Sequence, residues 1–148
     1  MTNKKKYHGS CHCGKVRFHV YLDLSTGTGR CNCTFCTKTR YWGKMVKPEE
    51  FELLSGSDCL TDYTKSTPLL FHKSDFVEDN TTHHLFCKHC GVRSFGKGHI
   101  PEIGGEYYSV NIACLDDVDF KEAMDAPIQY FDGRTNNWLS TPDFTSHL

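Results

Sequence analysis

Along the first fifty residues one stretch alternates cleanly between apolar and polar positions: Val16-Arg17-Phe18-His19-Val20-Tyr21-Leu22. A period of two puts Val16, Phe18, Val20 and Leu22 on one side, which predicts a strand with one buried face. Tyr107-Tyr108-Ser109-Val110-Asn111-Ile112-Ala113 is the next clearest strand. Phe51-Glu52-Leu53-Leu54 and Leu60-Thr61-Asp62-Tyr63 flank Ser55-Gly56 and predict a hairpin, and Leu69-Leu70-Phe71-His72 reads as another short strand. His83-His84-Leu85-Phe86 runs into a cysteine-bearing turn that Val92-Arg93-Ser94-Phe95 leaves, a second hairpin. Helical signals are confined to Val118 to Met124, opened by acidic residues and stopped by Pro127. Gly96 to Gly105 and Thr135 to Thr141 read as ordered loops. Short strands separated by Gly, Pro, Ser and Asn predict an all-β fold with one short C-terminal helix.

A length of 148 residues fits one domain, and ten Phe, seven Tyr and two Trp are enough for a core. No linker divides the chain, so residues 1–148 are expected to form a single domain. The N-terminus is basic at Lys4 to Lys6 but no apolar stretch follows, which is unlike a signal peptide. No apolar run is long enough to span a bilayer. A cytoplasmic location and no membrane partner are therefore expected. In that reducing setting nine cysteines, an odd number, point to metal binding rather than to structural disulfides.

The cysteines form three clusters: Cys11-His12-Cys13, Cys31-Asn32-Cys33-Thr34-Phe35-Cys36 and Cys87-Lys88-His89-Cys90. Cys59 and Cys114 stand apart and read as core or boundary residues. Two thiolates on one tetrahedral zinc lie roughly 3.7 Å apart, so ligands two or three residues apart need a sharp backbone turn. Gly14 and Gly91 follow Cys13 and Cys90, where such a turn takes positive φ. Seven clustered cysteines do not make two closed four-cysteine sites. They divide into four and three, and three protein ligands with an open position is the catalytic zinc pattern. Cys31, Cys33 and Cys36 reach one ion unaided, leaving Cys11, Cys13, Cys87 and Cys90 for a closed site. Spacing alone also permits Cys31 and Cys33 to join Cys87 and Cys90. His12, His83, His84 and His89 are the rival ligands beside these clusters.

Charge changes the picture little. Residues 1–50 carry ten Lys/Arg against three Asp/Glu, residues 101–148 two against nine, and the whole chain is −1. Seven thiolates outweigh two zinc ions, so metal loading makes the net charge more negative. That argues against a broad phosphate-binding surface, and no nucleic-acid partner is expected.

Three blocks carry a family resemblance: Gly9-Ser10-Cys11-His12-Cys13-Gly14-Lys15-Val16-Arg17-Phe18, Cys31-Asn32-Cys33-Thr34-Phe35-Cys36 and Phe86-Cys87-Lys88-His89-Cys90-Gly91. With Val110-Asn111-Ile112-Ala113-Cys114-Leu115-Asp116 downstream, the chain resembles the glutathione-dependent formaldehyde-activating enzyme family from about Tyr7 to Trp138. The resemblance implies a β-tent of small antiparallel sheets organised around zinc. It also implies two Zn²⁺ per chain: a structural ion on Cys11, Cys13, Cys87 and Cys90, and a catalytic ion on Cys31, Cys33 and Cys36. The Phe95 to Pro101 loop and the Tyr130-Phe131-Asp132-Gly133-Arg134 segment read as variations within the family.

The implied reaction is that of a carbon–sulfur lyase or synthase, joining a thiol such as glutathione to an aldehyde such as formaldehyde. An electron-rich three-thiolate zinc suits thiol activation better than hydrolysis. The alkoxide formed on the aldehyde oxygen needs a donor, for which His83, His84 and Arg93 are the candidates. Arg30, Lys38, Arg40 and Arg134 are candidates for the glutathione carboxylates. The competing class is a non-catalytic zinc module that binds a protein partner.

Overall fold

The computed structural model describes residues 3–64 and 82–148. Among the described residues there are ten strands: Lys5–Ser10 (β1), Arg17–Leu22 (β2), Thr28–Cys31 (β3), Gly43–Val46 (β4), Phe51–Ser55 (β5), Leu60–Thr64 (β6), His83–Cys87 (β7), Phe95–Ile100 (β8), Gly105–Asn111 (β9) and Ile128–Phe131 (β10). The two helices, Thr34–Thr39 (α1) and Phe120–Asp125 (α2), have six residues each. The fold is all-β, built as one sheet in the order β1-β2-β5 and a second in the order β10-β3-β4-β9-β8-β7-β6. Pairing is antiparallel throughout except that β10 runs parallel to β3.

Alternation in β2 does what its pattern dictates. Phe18, Val20 and Leu22 are fully buried while Arg17 and Tyr21 face out. Phe18 and Phe51 of the small sheet meet Phe95 and Tyr108 of the large one, with ring centroids 4.2 to 6.1 Å apart. Burying each such side chain is worth about 1.5–3 kcal/mol, so this aromatic layer joins the two sheets.

Three expected elements differ. Phe51–Leu54 and Leu60–Tyr63 do not form a hairpin: β5 pairs with β2, and β6 pairs with β7 in the other sheet. Gly56 makes the crossing at φ 88°, with the Lys15 carbonyl oxygen 2.4 Å from where a Cβ would stand. Gly96 to Gly105 is not a loop either, because β8 takes its first half, through Ile100, and pairs along its length with β9. Ile112 and Ala113 leave β9 and enter a short 3-10 turn capped by the Asn111 side chain. The expected strand at Leu69–His72 lies outside the described residues. The C-terminal helix is present as α2, capped by Asp119 through the Lys121 and Glu122 N–H groups.

Among the described residues no helix is long and apolar enough to cross a membrane.

Candidate metal centres

The β1–β2 and β7–β8 turns are built alike. In the first, the Cys11 N–H donates to Val16 O at 3.0 Å and the Gly14 N–H to Cys11 O at 3.1 Å. In the second, the Cys87 N–H donates to Val92 O at 3.0 Å and the Gly91 N–H to Cys87 O at 2.7 Å. Gly14 and Gly91 both sit at φ 76°, the left-handed conformation their positions call for. These two turns, one from each sheet, bring Cys11, Cys13, Cys87 and Cys90 into one group with every sulfur within 4.8 Å of the others. The Cys13 sulfur lies 3.6 Å from that of Cys11 and 3.7 Å from that of Cys87. These are the separations a tetrahedral thiolate site needs. Cys11 and Cys87 are buried and Cys13 is exposed, so the group spans core and surface.

Cys31, Cys33 and Cys36 form the second group, again within 4.8 Å of one another. Cys31 ends β3, Cys33 caps α1 by accepting from the Cys36 N–H at 3.3 Å, and Cys36 lies one turn in. The Cys33 N–H in turn donates to the Cys31 sulfur at 3.3 Å. Hydrogen bonds from the Cys31 and Cys36 thiols, then the Cys36 and Phe35 N–H groups, pull the Cys33 thiol well below its usual range. The same contacts push Cys31 and Cys36 up. Three thiols packed this closely repel one another once ionised, and a cation among them lets all three carry charge. This donor set fits a thiophilic metal. Among the described residues no histidine, carboxylate or fourth cysteine joins the group. Of the two sulfur partitions open on spacing, the structure adopts the one that keeps Cys31, Cys33 and Cys36 together.

The histidines separate. His12 and His89 are exposed and belong to neither group. His83 and His84 point to opposite faces of β7, as consecutive strand residues must. His83 Nδ1 pairs with Asp62 Oδ2 at 2.6 Å. His84 lies on the side of the three-sulfur group, stacked on Phe35 of α1 at 3.7 Å between centroids. Its Nδ1 accepts from Arg93 Nε at 3.2 Å. Burial, with the Arg93 charge second, lowers its pKa to about 4, so the imidazole is neutral at pH 7. The Arg93 guanidinium lies 5.4 Å from the Tyr41 ring centre and 5.9 Å from that of Phe35, and burial lowers its pKa. Among the described residues no carboxylate pairs with it.

The other basic candidates spread around the triad. Arg30 stacks over Trp42 at 5.3 Å, and with Arg40, Tyr41, Thr37 and Leu148 lines a shallow depression whose floor includes Cys31 and Cys36. Arg40 donates to the His147 carbonyl at 2.6 Å. Lys38 is exposed on α1. Arg134 donates through Nε to Asn32 O at 3.1 Å.

Sequence reasoning missed Phe35, Tyr41, Asn32, Asp132 and Gly133. Asn32 holds the triad to the segment after β10: its Nδ2 donates to Asp132 Oδ1 at 2.8 Å, and its Oδ1 accepts from the Arg134 N–H at 2.9 Å. The signal was its place between two ligand-type cysteines, together with the Asp132-Gly133-Arg134 run.

A sequence model of the glutathione-dependent formaldehyde-activating enzyme family matches residues 6–133, a span that contains both sulfur groups. The chain belongs to this family. The crystal structure of a Rhodobacter sphaeroides protein, a structural-genomics target, is similar at a TM-score of 0.59 and 25% sequence identity. That likeness covers 82% of this chain and 99% of the other. Membership in the formaldehyde-activating family connects the chain to glutathione and formaldehyde chemistry.

Proposed function

We propose that this family member is a zinc-dependent carbon–sulfur lyase or synthase, of the S-(hydroxymethyl)glutathione synthase type. In this reading Cys11, Cys13, Cys87 and Cys90 hold a structural zinc, and Cys31, Cys33 and Cys36 hold a catalytic one. The observation that carries it is a three-sulfur group, distinct from a closed four-sulfur group, with a cation and a neutral imidazole packed beside it. A four-sulfur site has no room for substrate, whereas a three-sulfur site does.

A zinc ion held by Cys31, Cys33 and Cys36 would favour the thiolate form of a substrate thiol at neutral pH. In the forward direction a bond forms between the thiol sulfur and the aldehyde carbon. The C=O π pair moves to oxygen, which ends with the thiol's proton; the reverse breaks the same C–S bond. The chain's own residues bind and orient. His84, held by Arg93, stabilises charge on that oxygen, and the Phe35 and Tyr41 rings keep water from this side of the triad. Arg30 and Arg40 take a glutathione carboxylate over the depression beside Cys31 and Cys36. Lys38 and Arg134 are the reserve partners for the second carboxylate, and His83, held by Asp62 on the other face, is the weakest of the donor candidates.

Cobalt in place of zinc tests this reading. Glutathione added to the cobalt protein is expected to strengthen sulfur-to-metal charge-transfer absorption, and Cys33→Ser to abolish the change. Zinc-loaded protein is expected to accelerate exchange between formaldehyde plus glutathione and their adduct, followed by NMR, beyond the spontaneous rate. Thiol binding without acceleration moves the protein to another thiol-dependent substrate. No thiol binding rejects the lyase and leaves the non-catalytic module.

A further inference from the structure

We propose that Arg93 is a positioning residue that fixes His84 as the neutral tautomer protonated on Nε2, and that this Nε2–H is the donor to the aldehyde oxygen. The second half rests on the lyase reading; the first stands on geometry alone. A guanidinium has only donors. The 3.2 Å bond from Arg93 Nε to His84 Nδ1 therefore requires a lone pair on Nδ1, and the ring proton of the neutral imidazole must be on Nε2. A histidine without such a partner divides its proton between the two nitrogens, and only one of them can face a given substrate atom.

Several features hold this pair in place. His84 is directly opposite Gly96 in the β7–β8 pairing. A Cβ at Gly96 would stand 2.5 Å from Arg93 Nη2, so the missing side chain is the opening through which Arg93 reaches across to β7. Beyond that opening the guanidinium rests against Tyr41 and Phe35, whose ring faces attract a cation. The imidazole stacks on Phe35, and Phe35 lies on α1 between Cys33 and Cys36. The ring that orients His84 is thus carried by the helix that Cys33 caps and in which Cys36 lies. Tyr41 is itself fixed by a 2.6 Å hydrogen bond to Ser109 on β9. His83 has no part in this arrangement, since Asp62 holds it on the opposite face.

During addition, the sulfur–carbon bond forms and negative charge collects on the former carbonyl oxygen. His84 Nε2–H donates a hydrogen bond to that oxygen and keeps its proton. The oxygen is neutralised by the proton that the thiol released, so nothing beyond the two substrates is consumed.

The test begins with the zinc-loaded wild-type protein, without substrate. A long-range ¹H–¹⁵N imidazole spectrum, assigned with His84→Gln, is expected to show His84 with Nδ1 bare and Nε2 protonated. Arg93→Met and Arg93→Lys are each expected to return His84 to a mixture of tautomers. A proton on Nδ1 in the wild type, or a spectrum indifferent to both Arg93 variants, overturns the tautomer lock. For the donor role, His84→Phe is expected to slow adduct exchange about 10²-fold or more, with glutathione binding to the cobalt protein unchanged. His84→Gln, which keeps an N–H, is expected to recover part of that loss. A His84→Phe protein that binds thiol and turns over within a few-fold of wild type overturns the donor role. If wild-type protein binds no thiol, the lyase reading and the donor role fail together, while the imidazole spectrum still decides the tautomer.

Discussion

The Asn32 side chain donates to Asp132 at 2.8 Å, and through this bond the segment between two triad cysteines is tied to the loop after β10. Asn32 is 8% exposed and makes its second side-chain bond to the Arg134 N–H. Asn32→Ala removes both bonds while Asp132 can still turn to water. The stability cost is expected to be about 1–2 kcal/mol. The larger effect falls on metal affinity at the triad, about tenfold or more, because the backbone between Cys31 and Cys33 loses its orientation. Competition with a chelator, followed by the charge-transfer bands of the cobalt protein, measures it. Equal weakening of both metal sites would count against a local role.

Gly133, in the same segment, approaches Cys31. A methyl group there would stand 2.8 Å from the Cys31 sulfur and 2.5 Å from Trp138 Cη2. Gly133→Ala is therefore expected to take the bound zinc from two equivalents to one after mild dialysis, with the four-cysteine ion retained. Elemental analysis with a thermal melt checks both halves. Two tightly held equivalents would show that Trp138 yields instead of the sulfur.

These contacts explain what could and could not be read from the residues. β2 was legible because one buried face imposes strict alternation, and the two knuckles were legible because Gly14 and Gly91 must adopt positive φ after the second cysteine. Spacing left two sulfur partitions open, and α1, which turns Cys36 back towards Cys33, decides between them. β8 was misread because Gly96 and Gly98 look like loop residues, whereas Arg93 and the Tyr107 hydroxyl occupy the space their side chains would fill. The β5–β6 hairpin failed for another reason. Local patterns show which face of a strand is buried but not its partner, and β5 and β6 found partners in different sheets. Helix α1 has six residues and no buried position, so no apolar period could announce it.

Glu122 links α2 to β1, accepting from Lys5 Nζ at 2.8 Å and from the Tyr7 hydroxyl at 2.9 Å. The Lys5 contact first, then Tyr7, lowers its pKa from 4.5. A carboxylate with a depressed folded pKa contributes stability above its unfolded value and loses it as pH falls through the folded one. Wild type is thus expected to exceed Glu122→Gln in stability at pH 6, with the difference closing below about pH 4.5. Because the Lys5 partner is exposed and Glu122 only half-buried, the difference is small and shrinks with salt. Urea melts of both proteins at matched pH and zinc concentration test this. A gap that persists at pH 3 would assign the effect to packing rather than charge.

The two sulfur groups should also answer differently to loss of one ligand. Cys87 is fully buried, and its group joins a turn of the small sheet to a turn of the large one. Metal bound there is expected to contribute its binding energy to folding directly. Cys87→Ser is expected to abolish the cooperative melt or lower it by more than ~10 °C. The three-cysteine group draws all its sulfurs from residues 31–36, so its metal bridges no distant segments. Cys33 also caps α1, but serine is a favoured cap and can replace the sulfur in accepting the Cys36 N–H. Cys33→Ser is therefore expected to melt close to wild type, keep its β-sheet signal, and bind one zinc where wild type binds two. Its residual zinc should resist chelation as wild type's tighter equivalent does. Circular dichroism melts and metal counts on both variants decide the matter. Equally severe unfolding would make the triad a second structural site. A ceiling of one zinc in the wild type, even with excess metal, would remove the two-site reading.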